Sequence, residues 1–598
     1  MHEQNLRDLI RDVGTGRVGR RAFMQSMLGR GLTALAAAQM LAPPRPATAQ
    51  PASPPGATAG RGGGGTLRLI AAQPQTPIQL NPHHSIGADT AVRLFYEPLA
   101  AFDADASLVP VLAAEIPNVA NGTLARDGTW VIWHLKKDVA WHDGRPFTAD
   151  DVIFTWRYSA DPATGTSSMT RYQEPDRLER LGDHTVRIVF REPTPFWFVT
   201  FCGDGGLVLP RHLFDVYRGA RAREAPWNLR PVGTGPYRFV SFKPGDELRA
   251  ELNPHYHVPG RPRFDAIELK GGGDAVSAVR AVLQTGGFDL ALGALVDDEI
   301  LTRLEQAGKG KVGLAWGSDV EQIQLNQTDP WTEVDGERSS LKAPHPFLSD
   351  VAVRRALAVL VDRDAIQREI FGRLGRATAN ILVGPPQFRS PNTTWAFSVN
   401  QANEALDAAG WPRGPDGVRV RNGTRLRLVF QVPSAAVRQR VQAIVKQACR
   451  QAGIEVELKT VLPSVYYSSD PGNPDTLGRF QTDLQMHPVN TGPDPQRLME
   501  GFTSWNVATR ANQWAGRNRT RWRHDGYDRL YAAAKHEIDP VKRAALFIQM
   551  NDLVIREAVV IPVVWRSLTV VMARTLRNVA TSPWDSIFFN VADWHRET

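Results

Sequence analysis

Residues 129–156 read TWVIWHLKKDVAWHDGRPFTADDVIFTW, and the reading of the whole fold starts from them. From Trp130 to Leu135 the side chains divide into two alternating sets, Trp130, Ile132 and His134 against Val131, Trp133 and Leu135, which is the period of a strand. Asp143-Gly144 and Pro146 then mark a turn. Thr148 stands three residues before Asp151, the spacing at which a helix start satisfies its own open backbone groups. Val152, Ile153 and Trp156 follow as one apolar stripe of a helix. A strand, a tight turn and a capped helix contain no catalytic constellation.

Working outward, Thr66 to Ile70 alternates as a strand, and Asn81-Pro82-His83-His84 breaks it before a helical stretch through Val92, Leu94 and Phe95. Gly233-Thr-Gly-Pro-Tyr237 lacks the Lys-Ser/Thr of a phosphate loop, and Pro236 stops the helix such a loop needs. A turn into a strand from Tyr237 to Phe242 is the better reading. Residues 266–291 form a βαβ crossover: strand Ala266–Leu269, helix Ala275–Gln284, then Gly286-Gly287 and strand Phe288–Ala291. A second crossover runs through Leu426, Leu428 and Phe430, a helix carrying Val437, Val441, Ile444 and Ala448, and a strand at Ile454, Val456 and Leu458. Two distant crossovers imply two α/β lobes. Between them Asp350 and Asp362 each begin a helix. Late in the chain Asp539 caps a helix with Pro540 at its first position, with Leu546, Phe547, Met550, Leu553 and Val554 as its core stripe and Val559 to Trp565 as a returning strand.

At 598 residues the chain needs two or three domains, and its 42% hydrophobic and 22% charged residues are ordinary for a globular protein. The formal charge is +8, but residues 1–49 hold seven Arg against Glu3, Asp8 and Asp12, so 8 − 4 = +4 remains without them. No basic stripe results, and nucleic acid is not expected as a partner. That first segment places Arg20 and Arg21 before an apolar run, with Ala47-Thr48-Ala49 ahead of Gln50. The pattern resembles a twin-arginine export signal cleaved after Ala49, and an ordinary secretory signal is the alternative. Either places the mature chain in the periplasm, and no cysteine follows the run to carry a lipid anchor. Residues 50–65 read as a flexible linker. Cys202 and Cys449 have no metal-ligand spacing; a disulfide between them stays open, and Cys449 also reads as a small core residue.

The quoted stretch resembles the signature segment of the extracellular solute-binding proteins of family 5, the peptide- and nickel-binding components of ABC importers. Lys136-Lys137, Trp141-His142-Asp143-Gly144, Pro146-Phe147-Thr148-Ala149 and Asp151-Val152-Ile153-Phe154 match its pattern in order. TLRLI with LFYEPL, GTGPY with Asn253-Pro-His-Tyr256, VRRAL with DRDAI, and Ala405 to Trp411 resemble further family landmarks between residues 66 and 565. The resemblance implies an α/β, periplasmic-binding-protein-like two-lobe fold with an extra domain inserted in the first lobe and a ligand cleft between the lobes. By that logic 66–90, 205–325 and 566–598 form the first lobe, 91–204 the inserted domain and 326–565 the second lobe. It also implies a monomer without cofactor, a peptide or other small ligand, and a membrane permease with its ATPase as partners.

No GxSxG or HExxH motif supports a secreted hydrolase, the alternative from another class. His83 and His84 would point apart on a strand, and His345, His487 and His524 are isolated, so no metal set is read from them. Trp505, Trp514 and Trp522 crowd one region with Asn506, Asn512, Gln513 and Asn518, an aromatic and polar mixture suited to a binding cleft, although any one of these tryptophans reads first as core. Peptide-binding members of the family place an Asp four residues before the Pro of an Asp-Pro pair, where it takes the peptide's α-ammonium. Here Asp494-Pro495 puts Thr491 at that position, with Asp494 or Asp483 as substitutes. The residues expected at the ligand are Met486, His487, Val489, Asn490, Thr491, Asp494, Trp505 and Trp514. An opine, a sugar or a metal chelate is the alternative ligand to a peptide.

Overall fold

The computed structural model describes residues 60–597 apart from 73–74, 85–88, 295 and 469. The export-signal reading, with Arg20, Arg21 and Ala49, lies outside the described residues. The strand Trp130–His134 buries Val131 and Trp133 and leaves the alternate set half-buried, and it joins Thr185–Phe190 and Pro175–Gly182 in a three-stranded sheet. Gly144 takes φ +86° at the turn, a conformation glycine adopts without strain. The helix Ala149–Ala160 begins as expected, with the Thr148 amide donating to Asp151 Oδ2 at 2.9 Å. Val131, Trp133, Trp141, Phe147 and Val152 form one core with Ile188 and Cys202.

The main sheet has eleven strands. In chain order they are β1 (Thr66–Ala72), β2 (Tyr237–Lys243), β3 (Glu247–Leu252), β4 (Ala266–Gly273), β5 (Leu290–Leu292), β6 (Gly310–Leu325), β7 (Gly375–Ala377), β8 (Arg427–Pro433), β9 (Glu455–Val461), β10 (Leu484–Val489) and β11 (Val560–Ala573). Their spatial order is β9-β8-β10-β6-β11-β5-β1-β4-β3-β2, with β7 added beside β11. The first crossover leaves β4, passes through the helix Ala275–Leu283 and enters β5, and β1 lies between the two strands, parallel to both. In the second, β8 and β9 are direct parallel neighbours and β10 is parallel to β8. Two parallel triplets are thus joined by an antiparallel pair, β6 and β11. The strand expected at Val559–Trp565 runs on to Ala573, because its second half pairs with the start of β6 and with β5.

Each triplet has its own core. Leu67, Leu69, Phe95, Tyr237, Ile267 and Leu290 share one cluster. Leu357, Trp411, Phe430, Val445, Cys449 and Met486 share another. Cys202 and Cys449 are buried in different cores and free, so the disulfide left open by the sequence is not formed. His83 and His84 sit in a turn instead of a strand, and both rings face inward, His83 Nε2 at 2.9 Å from the Leu207 carbonyl and His84 Nε2 at 2.8 Å from the Tyr158 hydroxyl.

Three of the family landmarks converge on one residue the sequence reading passed over. Glu97, of LFYEPL, is buried; it accepts from the Thr234 hydroxyl of GTGPY at 3.0 Å and from the Tyr256 hydroxyl at 2.8 Å, and His257 Nε2 lies 2.9 Å away. Burial alone would raise its pKa, but His257, Arg93 and Tyr256 together bring it down to about 2. Beside it, His142 of the signature turn clasps the same glycine loop: Nδ1 accepts from the Gly233 amide at 3.1 Å and Nε2 donates to the Gly235 carbonyl at 3.0 Å. That pair of bonds fixes a neutral imidazole, and burial lowers its pKa to about 4. A Cβ on Gly233 would stand 1.8 Å from the Phe95 carbonyl oxygen, so the glycine permits the approach.

Candidate functional site

β6 and β11 link the two triplets: β6 pairs with β10 of the second, β11 with β5 of the first, and the two pair with each other. Gly310–Trp316 pairs with Ser567–Ala573, the register then shifts, and pairing resumes at Val320 opposite Trp565. The shift falls on Gly317-Ser318-Asp319, where bent backbone needs other partners. Trp565 Nε1 donates to the Gly317 carbonyl at 3.0 Å, and the Thr491 amide donates to Ser318 Oγ at 3.1 Å. A Cβ on Gly384 would meet the Gly317 carbonyl oxygen at 2.7 Å and the Trp584 ring at 3.2 Å. The crossing, the Gly384 loop and the tail at Trp584 therefore meet at one place.

Two indoles mark it. The rings of Trp316 and Trp565 lie 5.1 Å apart, edge to face. The Arg376 guanidinium carbon stands 3.8 Å over Trp316 and 5.5 Å from Trp565, and that of Arg389 stands 4.5 Å over Trp565. Arg376 reaches this position because β7 sets it directly opposite Trp565. Of the two carboxylates of the crossing, Glu321 is fully buried and bonded to Arg438 at 2.9 and 3.1 Å and to Arg566 at 2.9 Å. Asp319 keeps an open surface yet is crowded by protein; that desolvation raises its pKa, with Arg566 and a hydrogen bond from Asn490 opposing.

The bodies also touch away from the crossing. Lys535 Nζ lies 3.0 Å from Glu192 Oε2, and the Arg543 guanidinium carbon is 4.6 Å from the Phe196 ring centre. A Cβ on Gly128 would sit 2.6 Å from Ile538 Cδ1. The sheet domain of the opening stretch thus meets the second body where the helices Asp525–His536 and Pro540–Arg556 join.

The residues expected at the ligand divide among several places. Asn490, Thr491 and Val489 lie beside the crossing, Val489 packing near Val320, Val383 and Trp565. Met486 is fully buried in the second core, a packing residue instead of a cleft wall. His487 is buried within β10, its Nδ1 2.9 Å from the Pro488 carbonyl, and burial lowers its pKa to about 3. Asp494 is spent on Arg543 in a buried ion pair and on the Gln496 amide at 2.8 Å; burial raises its pKa, with Arg543 opposing. Asp483 is likewise closed off, accepting from Trp331 Nε1 at 3.0 Å and the Val429 amide at 2.6 Å, with His345 Nε2 at 2.9 Å. Trp505 is exposed and edge-on to Tyr531, Trp514 lies under Arg479, and Trp522 is core. Among the described residues, none of the three makes a ring contact with Trp316 or Trp565. The residues that sequence missed, Trp316, Arg376, Arg389 and Trp565, come from three strands and a loop; a Gly-Ser-Asp interruption in a long strand was the available signal.

An open depression of about 750 Å³, walled by His142, Asp143, Trp227, Arg230, Arg238 and Phe242, lies over β2. β2 is the far edge of the sheet, so this surface is remote from the crossing.

The family model for bacterial extracellular solute-binding proteins, family 5 (middle region), matches residues 107–513. The chain belongs to that family. A Brucella ovis protein named for ABC-transporter peptide binding is 25% identical over 468 residues, 78% of this chain and 81% of the other. The di/tripeptide-binding protein 2 of Pseudomonas aeruginosa is 22% identical over 492 residues, 77% and 81% of the two chains. The solved structure of Campylobacter jejuni NikZ in complex with Ni(L-His) superposes with a TM-score of 0.69 at 21% identity, covering 89% of this chain and 99% of that one. Family 5 members are substrate-binding components of ABC importers, so the two-lobe expectation and the family expectation both stand.

Proposed function

We propose that this chain is a periplasmic receptor that closes on a peptide or peptide-like solute and delivers it to a membrane permease and its ATPase, without catalysing a reaction. The observation that carries the reading is the crossing: the strands that link the two halves of the sheet present an aromatic and cationic cluster beside a register shift. A ligand held there touches the link between the bodies, and closure is stabilised by differential contacts in the closed form. The proposed lobes follow the division 66–90, 205–325 and 566–598 against 326–565, with 91–204 inserted. No helix among the described residues is long and apolar enough to cross a membrane.

Thr491, at the position where peptide-binding members place the amine-anchoring Asp, supplies no carboxylate. Thr491 is nearly buried, and its hydroxyl lies 3.2 Å from the Gly384 carbonyl and 2.8 Å from that of Gly492. The test is thermal denaturation of the purified chain with di- to pentapeptides, and separately with opines, sugars and metal chelates. A ligand at a hundredfold excess over its Kd stabilises by about 2.7 kcal/mol. Protection by peptides supports the reading; protection only by a non-peptide class transfers the receptor role to that class, and turnover without partners would replace it with a hydrolase.

A further inference from the structure

We propose that the Trp316, Trp565, Arg376 and Arg389 cluster binds the carboxylate of the transported solute, so that the ligand is anchored by its acid end and not by its amine. The inference rests on the receptor reading and specifies its chemistry. Both guanidinium groups stand over indole rings, an arrangement that stabilises a cation while leaving N–H groups of its fork available. Arg389 spends only Nε, on the Val383 carbonyl at 3.0 Å. Among the described residues no protein acceptor takes a hydrogen bond from the Arg376 side chain, and no carboxylate lies at ion-pair distance from either arginine. Both arginines are exposed, and they repel each other. An anion between two like charges held at fixed positions relieves that repulsion and accepts from both forks.

The remaining charges around the crossing are already answered. Glu321 holds Arg438 and Arg566, and Asp319 is held by Asn490 with Arg566 nearby. Arg376 and Arg389 are the cations of this place that no carboxylate among the described residues meets at ion-pair distance. On the other side Thr491 offers no negative group to an ammonium, and Asp483 and Asp494 are both enclosed. A solute that enters with a free acid finds two forked donors, whereas Asp319, the exposed carboxylate of the crossing, already accepts from Asn490 with Arg566 nearby.

The test compares acids with their matched amides on the full chain. Trialanine, N-acetyl-trialanine, trialanine amide, succinate and succinamide are titrated by calorimetry and thermal shift into the natural protein, Arg376→Gln, Arg389→Gln and, as a charge control on the remote small sheet, Arg177→Gln. Expected is binding by at least one acid, unchanged by N-acetylation, weakened tenfold or more by amidation and by either cleft substitution, and unaffected in the control. Equal binding of acid and amide would overturn the inference while leaving the receptor reading intact. Binding of succinate but of no peptide would keep the acid anchor and break the peptide reading. No response to any of the acids would overturn the anchor as well.

Discussion

Two polar clusters in this molecule look alike in composition and are opposite in bookkeeping. Around Glu97, the buried carboxylate meets Thr234, Tyr256 and His257, and neighbouring His142 has both ring nitrogens bonded. Around Trp316 and Trp565, two exposed arginines stand over indole rings with no carboxylate among the described residues at ion-pair distance. In the first cluster both Glu97 oxygens and both His142 ring nitrogens have partners within the chain, and these bonds tie the turn at His142 and the Gly233–Gly235 loop to the first core. The second is complete only with something added. A carboxylate answered by its neighbours belongs to the frame, and in our proposal the unpaired cations over aromatic faces mark the place of the solute.

The sharpest way to break this comparison is to empty the first cluster. Glu97→Ala leaves His257 and the Thr234 and Tyr256 hydroxyls buried without their acceptor, and removing one member of a buried charged network costs about 3–5 kcal/mol. Urea denaturation should show the midpoint falling accordingly. A midpoint within error of the natural protein would mean that the landmarks are held by backbone packing alone.

Acid should act next, and mostly on the frame. The ordinary imidazole value is 6.5, and burial lowers His83 to about 3, His142 to about 4 and His487 to about 3. The unfolded chain takes up protons below 6.5 that the folded chain refuses, so stability is complete above that pH and is lost as pH falls towards 4 and 3. Each fully buried histidine contributes a loss of roughly 2 kcal/mol by pH 5. Glu97, depressed to about 2, adds its own loss only below the ordinary carboxylate value of 4.5. Urea midpoints at pH 7, 6 and 5 should decline, and His142→Gln should decline less steeply. A flat profile to pH 5 would contradict neutral buried rings.

How much of each cluster could be read beforehand follows from how it is built. The frame announces itself locally: alternation at Trp130–His134, the Thr148/Asp151 helix start, Gly144 in its turn and the crossover helices Ala275–Leu283 and Ala436–Gln451 each lie within one short window. Even there Glu97 was invisible, because its partners lie more than a hundred residues away. The aromatic and cationic cluster has no local signature at all. Arg376 faces Trp565 through a three-residue strand, and Trp316 reaches Trp565 only because two long strands cross. The window around Asp494-Pro495 holds Asn490 and Thr491, which lie beside the crossing, and also Met486, His487 and Asp494, which packing and pairing have turned inward.

The smallest effect tests the border between the two kinds of cluster, at Thr491. Its hydroxyl proton is shared by the Gly384 and Gly492 carbonyls, and its amide holds Ser318 at the register shift. Thr491→Asp replaces that donor with a carboxylate facing two carbonyl oxygens. The backbone bond to Ser318 survives, so the cost is that of one lost buried hydrogen bond and a misplaced acceptor, about 1–2 kcal/mol. If the carboxylate stays where the hydroxyl was, urea denaturation shows this loss and no peptide gains affinity from a free amine. If instead the midpoint is unchanged and trialanine binds more tightly than N-acetyl-trialanine, the side chain has turned into the recess and an amine anchor has been restored. That result would place Thr491 with the open cluster and make the difference between an acid-anchored and an amine-anchored receptor the matter of a single side chain.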